Sequence, residues 1–193
     1  ISSLSSGDAY NLANTVNLGK EVSLEKVNQA LNKVFGAHPY LFTILTIDDS
    51  VNILKHIEKE EVKVELEEVD EVVINSLPYE LLNNHLYRFK LFKVKDEYVF
   101  YFDFHHILCD GSSIKIFIDD LFASLEGKEL EKEKSNANDY SLLEEKNLNS
   151  KEYLKSKDYY DKLVGGLETD SSLVDDKKDD EISYHSIKQT LTI

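Results

Sequence analysis

The chain has 193 residues, enough for one domain of ordinary size or part of a larger one, and 41% of them are hydrophobic, which supplies a core. A formal charge of −15 with Arg88 as the only arginine opposes binding to phosphate backbones, so nucleic acid is excluded as an expected partner. No apolar run is long enough to span a bilayer, and the single Cys109 fits a reducing, cytoplasmic setting.

The first helix is expected from Leu24 to Phe35, where Leu24, Val27, Leu31, Val34 and Phe35 share a face, Ser23 is a good N-cap and Gly36 can close the end. His38-Pro39 then breaks the helix, and Leu41 to Ile47 reads as a buried strand. Val51 to Ile57 fits either a strand or a helix. Val62, Val64 and Leu66 alternate with charged residues and suggest a strand with one wet face, and Pro78 to Asn84 suggests a short helix. Leu86 to Val94 and Tyr98 to His105 form the strongest hairpin signal, joined by the turn Lys95-Asp96-Glu97. One face of the second run carries Tyr98, Phe100, Phe102 and Phe104, and the other carries Val99, Tyr101 and Asp103, the pattern of a strand covered on both sides.

A second helix follows, with Ile114, Phe117, Ile118, Leu121, Phe122 and Leu125 at helical spacing and Gly127 placed for a left-handed cap. A third is expected over Lys151 to Val164, ended by Gly165-Gly166. Residues 167–181 are acidic and serine-rich and read as a linker; residues 182–193 read as a strand. The chain opens on Ile1, has no Met, and ends in that β-rich run, so both ends are expected to continue into a longer protein. Mixed strands and helices predict an α/β layered domain with helices packed on a mixed sheet.

Between the aromatic strand and the second helix lies His105-His106-Ile107-Leu108-Cys109-Asp110-Gly111. A rigid sheet that ends in an exposed turn is a good place for chemistry. Successive strand residues point to opposite faces, so His106 is expected to face a cleft while His105 packs beneath it. Asp110 can lock the turn by accepting backbone N–H bonds or by pairing with a cation, and Gly111 permits positive φ or a close approach of backbone to ligand. Three plainer readings stand beside this one: a structural histidine pair, a metal site, and Cys109 as a nucleophile. Adjacent strand histidines diverge and chelate one ion poorly, and an apolar cysteine is more commonly inert.

This constellation resembles the core motif of the condensation domains of non-ribosomal peptide synthetases, which share their fold with chloramphenicol acetyltransferase. The resemblance extends along residues 10–166. Tyr10-Asn11-Leu12 with Leu18-Gly19 is similar to the family's opening segment. Ala37-His38-Pro39-Tyr40-Leu41-Phe42-Thr43 stands where the family has Arg-His-Glu-x-Leu-Arg-Thr. Leu86-Tyr87-Arg88-Phe89-Lys90-Leu91 resembles the strand before the motif, Asn138-Asp139-Tyr140 an Ala-Asp-Tyr segment, and Tyr159-Tyr160 a later Tyr-Trp. Ala37 and Phe42 replace both arginines, and Ser112 replaces a Trp, while Ser113 keeps the serine.

The resemblance implies an N-terminal lobe of a two-lobed domain over 1–166 that forms an amide between carrier-bound donor and acceptor. His106 would be the catalytic residue, supported by His105, Asp110, Gly111 and Ser113. Because the family's arginine is missing, Arg88 is the candidate partner of Asp110. No cofactor or metal is expected in the lobe, since phosphopantetheine belongs to the carriers. The implied partners are donor and acceptor carrier domains, an adenylation domain and the C-terminal lobe. Epimerisation, ester formation and a degenerate carrier-binding lobe remain open beside condensation.

Overall fold

The computed structural model describes residues 9–50 and 53–165. In chain order the elements are β1 (Asn14–Gly19), α1 (Leu24–Ala37), a 3-10 turn (Pro39–Phe42), β2 (Thr43–Ile47), β3 (Ile53–Ile57), β4 (Glu65–Glu68), β5 (Tyr87–Val94), β6 (Glu97–Phe104), α2 (Gly111–Leu125), α3 (Ala137–Asn147) and α4 (Lys151–Val164). Four strands form a mixed sheet in the order β1-β6-β5-β4, with β4 parallel to β5 and the other pairs antiparallel; β2 and β3 form a separate antiparallel pair. The two units of the chain divide after Tyr140.

The hairpin β5-β6 is the centre of the first unit. Val94 pairs with Glu97, so the turn is the two residues Lys95-Asp96, with Lys95 in the left-handed region at φ 55. The three-residue turn expected from the sequence would have set Arg88 opposite Phe104. The shorter turn sets it opposite Asp103, and a slip of one residue moves a side chain to the other face of a sheet. Phe100, Phe102 and Phe104 are fully buried on one face, against α1 and α2. Phe117 of α2 meets Phe89, Phe102 and Phe104 with ring centroids at 5.9, 5.6 and 5.0 Å.

The helices stop where their caps say they should. Ser23 accepts the Lys26 N–H at 3.2 Å at the start of α1. Gly36 lies inside α1 rather than closing it; the helix runs to Ala37 because Pro39 is the first residue that cannot continue it. Leu41 and Phe42, expected in a strand, belong to the 3-10 turn that follows. At the end of α2, Gly127 has φ 81, the Lys128 N–H reaches the Ala123 carbonyl and the Gly127 N–H reaches the Ser124 carbonyl, both at 2.9 Å, which is a Schellman closure.

Two other expectations are corrected. The strand expected from Val62 begins only at Glu65, yet Val62 and Val64 are buried at 2% and 5% exposure. Asn28 and Asn32, one turn apart on α1, stand in for a neighbouring strand. Asn32 donates to the Val62 carbonyl and accepts its N–H, and Asn28 accepts the Val64 N–H. No helix forms over 78–84. The Leu77 and Pro78 carbonyls are taken by Arg88, Asn83 has φ 60, and its N–H bonds the Leu45 carbonyl, so the backbone groups a helix needs are spent elsewhere.

Val51–Ile57, equally compatible by sequence with strand and helix, contains β3. β1 and α3 add to the elements expected from the sequence, although α3 has a readable start: Asn136 accepts the Asn138 N–H and Asp139 accepts the Asn136 N–H, a reciprocal cap. In the second unit α4 starts at Ser150, which accepts the Tyr153 N–H at 3.1 Å. No residue of α3 or α4 is buried. The expected linker over 167–181 and strand over 182–193 lie outside the described residues.

The packing makes Phe117 the keystone between α2 and the sheet. Phe117→Ala should destabilise the protein by about 3–5 kcal/mol, measured by chemical denaturation. A loss below about 1 kcal/mol would show that α2 does not depend on this contact.

Candidate active site

β6 ends at Phe104 and α2 begins at Gly111, and the motif fills the turn between them. Its two histidines diverge: His105 is buried at 4% exposure, while His106 is exposed. The His105 N–H donates to the Leu86 carbonyl at 3.0 Å and its carbonyl accepts the Leu108 N–H at 2.9 Å. Its ring Nδ1 accepts the Ile107 N–H at 3.1 Å, which places the proton of the neutral ring on Nε2. Tyr10 and Tyr79 flank that ring at 6.3 and 5.7 Å. Burial, and secondarily the neighbouring His106, lower the His105 pKa from its ordinary value and keep the ring neutral. His106 is held by its backbone, whose N–H reaches the Tyr10 carbonyl at 2.7 Å, and its ring is left to the surface.

Asp110 is the N-cap of α2. Its Oδ1 accepts both the Ser113 N–H and the Ser113 hydroxyl, each at 2.8 Å. These bonds hold the carboxyl below the usual aspartate range. The expected pairing with Arg88 does not form, because Arg88 lies on the opposite face of the sheet and serves Asp103 and the 77–78 carbonyls. Asp110 is also exposed rather than buried. Ala37 and Phe42, at the positions of the family's arginines, are core residues at 3% and 5% exposure, and Phe42 packs on Phe35 at 4.9 Å. Gly111 occupies the first turn of α2 without positive φ, so no left-handed conformation requires it. A Cβ added there would meet nothing within 4 Å, so no neighbouring atom requires glycine either.

His106 stands on the wall of a groove of about 350 Å³ that also includes Tyr40, Asp110, Ser113 and Glu133. A second cavity of about 300 Å³ shares Tyr40, Leu108, Cys109, Ser113 and Glu133 with it and continues to Leu41, Ile116 and Phe117. An apolar recess therefore adjoins the polar rim that carries His106. Cys109 is buried at 7% exposure, and burial, followed by the Asp110 charge, pushes its thiol up to about 12, which makes it a wall rather than a nucleophile. Among the described residues no group of three or more His, Cys, Asp or Glu side chains is arranged to hold a metal ion. Sequence reasoning missed Tyr79, placed in a helix that does not form, and did not see that Tyr10 and Asn11 clamp the histidines.

The chain resembles known proteins in sequence and fold. The family profile for the condensation domain matches residues 2–192, and the chain belongs to that family. Surfactin synthase subunit 1 of Bacillus subtilis (strain 168) is 27% identical over 165 residues, covering 82% of this chain and 5% of that protein. Bacitracin synthase 2 of Bacillus licheniformis is 30% identical over 140 residues, 69% of this chain and 5% of that one. Among solved structures, the starter condensation domain of the rhizomide synthetase RzmA matches with a TM-score of 0.70 at 16% identity, over 83% of this chain and 43% of that one. The X-domain from teicoplanin biosynthesis matches with a TM-score of 0.68 at 19% identity, over 87% and 41%. The fold is that of a chloramphenicol acetyltransferase-like lobe. The chain spans less than half the length of these structures and about one-twentieth of the synthetases.

The cap on α2 makes a signed prediction. A carboxyl held below its ordinary value of 3.8 stabilises the fold above that value, and the contribution is lost as pH falls through the folded-state pKa. Asp110→Ala should lower the melting temperature by a few degrees at neutral pH, and the gap to the native chain should narrow as pH falls below the ordinary aspartate value of 3.8. Thermal unfolding across this range checks it; a gap independent of pH would count against the cap.

Proposed function

We propose that this chain is the N-terminal lobe of a condensation domain that joins a carrier-bound acyl or peptidyl thioester to the amine of a carrier-bound aminoacyl acceptor. The observation that carries this reading is the exposed His106 at a strand end, fixed through its backbone and open to a groove. The neutral acceptor amine attacks the thioester carbonyl, and His106 takes the amine proton or holds its lone pair on line. The tetrahedral intermediate carries an oxyanion, for which the Gly111 N–H, in the first turn of α2, is the donor at hand. Collapse breaks the C–S bond, forms the amide, and returns the proton to the leaving thiolate. Thioesters are already activated, so orientation of two tethered reactants supplies much of the rate.

The lobe needs no cofactor of its own in this scheme, because the phosphopantetheine thiols arrive on the donor and acceptor carriers. An adenylation domain would load those carriers, and a second lobe would close the groove and exclude water. A reducing cytoplasm is the setting that suits a free thiol at Cys109; among the described residues no helix is long and apolar enough to cross a membrane. A carrier-binding lobe without activity is the second reading, favoured by Asp110 resting on a serine rather than on the family's arginine.

The test uses the protein that carries both lobes, with loaded donor and acceptor carriers and product detection by mass spectrometry. His106→Ala should lower amide formation by about 10²–10⁴-fold without lowering the melting temperature, whereas His105→Ala should lower the melting temperature. Undiminished turnover in His106→Ala would remove the histidine from the mechanism. Ester product, exchange at the α-carbon, or carrier binding without product in the native protein would each select a different member of the superfamily.

A further inference from the structure

We propose that Asp103 is a positioning residue for His106, acting through Ser76, Asn11 and Tyr10; the proposal rests on the reading of His106 given above. Asp103 is 0% exposed, on the face of β6 opposite the aromatic core, in direct register with Arg88 on β5. Its Oδ2 accepts the Ser76 hydroxyl at 3.0 Å and the Tyr101 hydroxyl at 3.2 Å, and the Arg88 guanidinium stands 3.7 Å away. Its backbone carbonyl accepts the Tyr79 hydroxyl at 2.8 Å. The same Arg88 lies 3.8 Å from the centre of the Tyr79 ring and donates to the Leu77 and Pro78 carbonyls. One carboxylate and one guanidinium thus hold the whole irregular segment from Ser76 to Tyr79 onto the sheet.

That segment does not end in solvent. The Ser76 hydroxyl, which donates to Asp103, accepts the Asn11 side-chain N–H on its oxygen at 2.7 Å, and a second Asn11 bond of 2.7 Å goes to the Leu77 carbonyl. Asn11 forms an antiparallel bridge with His105, the Leu12 N–H reaches the Phe104 carbonyl at 2.7 Å, and the Tyr10 carbonyl takes the His106 N–H. On the other side, Tyr79 packs edge-on against the His105 ring. Both routes from Asp103 converge on the two histidines.

A purely structural role is a poor account of this carboxylate. Its Oδ1 is buried without a hydrogen-bond partner among the described residues, and burial raises its pKa against the pull of Ser76, Tyr101 and Arg88. An apolar side chain of similar volume often serves stability as well as a buried ion pair. What it cannot do is accept from two hydroxyls at once and orient Ser76 so that its lone pair faces Asn11. The carboxylate specifies where the 10–12 segment sits, and hence where the His106 backbone is pinned.

The experiment compares Asp103→Leu, Ser76→Ala and the conservative Asp103→Asn by hydrogen exchange, and by kinetics in the two-lobed protein. Asp103→Leu and Ser76→Ala should accelerate exchange of the His106 amide by about tenfold while the amides of α1 are unchanged. In the same variants kcat for amide formation should fall by about tenfold with the acceptor KM unchanged. Asp103→Asn, which keeps an acceptor for Ser76, should restore most of both. If Asp103→Leu does not fold, Ser76→Ala alone decides. Unchanged exchange at His106, or acceleration throughout α1, would overturn the positioning role, as would local acceleration with kcat intact. Local acceleration in a protein whose native form makes no amide would leave the positioning intact and refute the condensation reading instead.

Discussion

Everything in the first unit depends on β6 being covered on both faces. From Phe100 to His105 six consecutive residues are buried, three phenylalanines toward the helices and Tyr101, Asp103 and His105 toward the other side. A strand held this way has no rotational freedom, so the alternation of its side chains is enforced up to its last residue. His105 is the final residue inside that enclosure and His106 the first outside it. The functional asymmetry of two identical side chains follows from where the cover ends.

The core-facing cover is legible in the amino-acid pattern alone. Phe100, Phe102 and Phe104 alternate, α2 follows at helical spacing, and their interlock through Phe117 needs only those two periods. The other cover is not legible, because it is made by a segment without regular structure. Ser76, Leu77, Pro78 and Tyr79 carry no periodicity; their position is set by Arg88 and Asp103, whose pairing depends on a turn one residue shorter than expected. That single residue also explains why Arg88 does not reach Asp110. With the longer turn it would have faced the helices; with the shorter one it faces Asp103, on the side away from Asp110.

Asparagine plays a similar hidden part. Asn28 and Asn32 bond the backbone of the 62–64 segment as a strand would, so Val62 and Val64 are core residues outside any sheet. Periodicity marks such valines as buried but says nothing about which group satisfies their N–H and carbonyl bonds. The motif residues are legible as a set because the turn is local: Asp110 finds Ser113 three positions away, and the cap would form in any helix starting there. Family membership adds the fold. Ala37 and Phe42, where the resemblance places two arginines, both belong to this chain's core.

The enclosure of β6 holds His105 inside, neutral and in one tautomer, and leaves His106 outside. Nitrogen-15 imidazole spectra recorded as a function of pH measure this directly, since each ring reports its protonated nitrogen. The structure requires His105 with its proton on Nε2 and its Nδ1 bonded to the Ile107 N–H, titrating only below the ordinary 6.5. A His105 ring that carries its proton on Nδ1, or that titrates at or above that value, would contradict it.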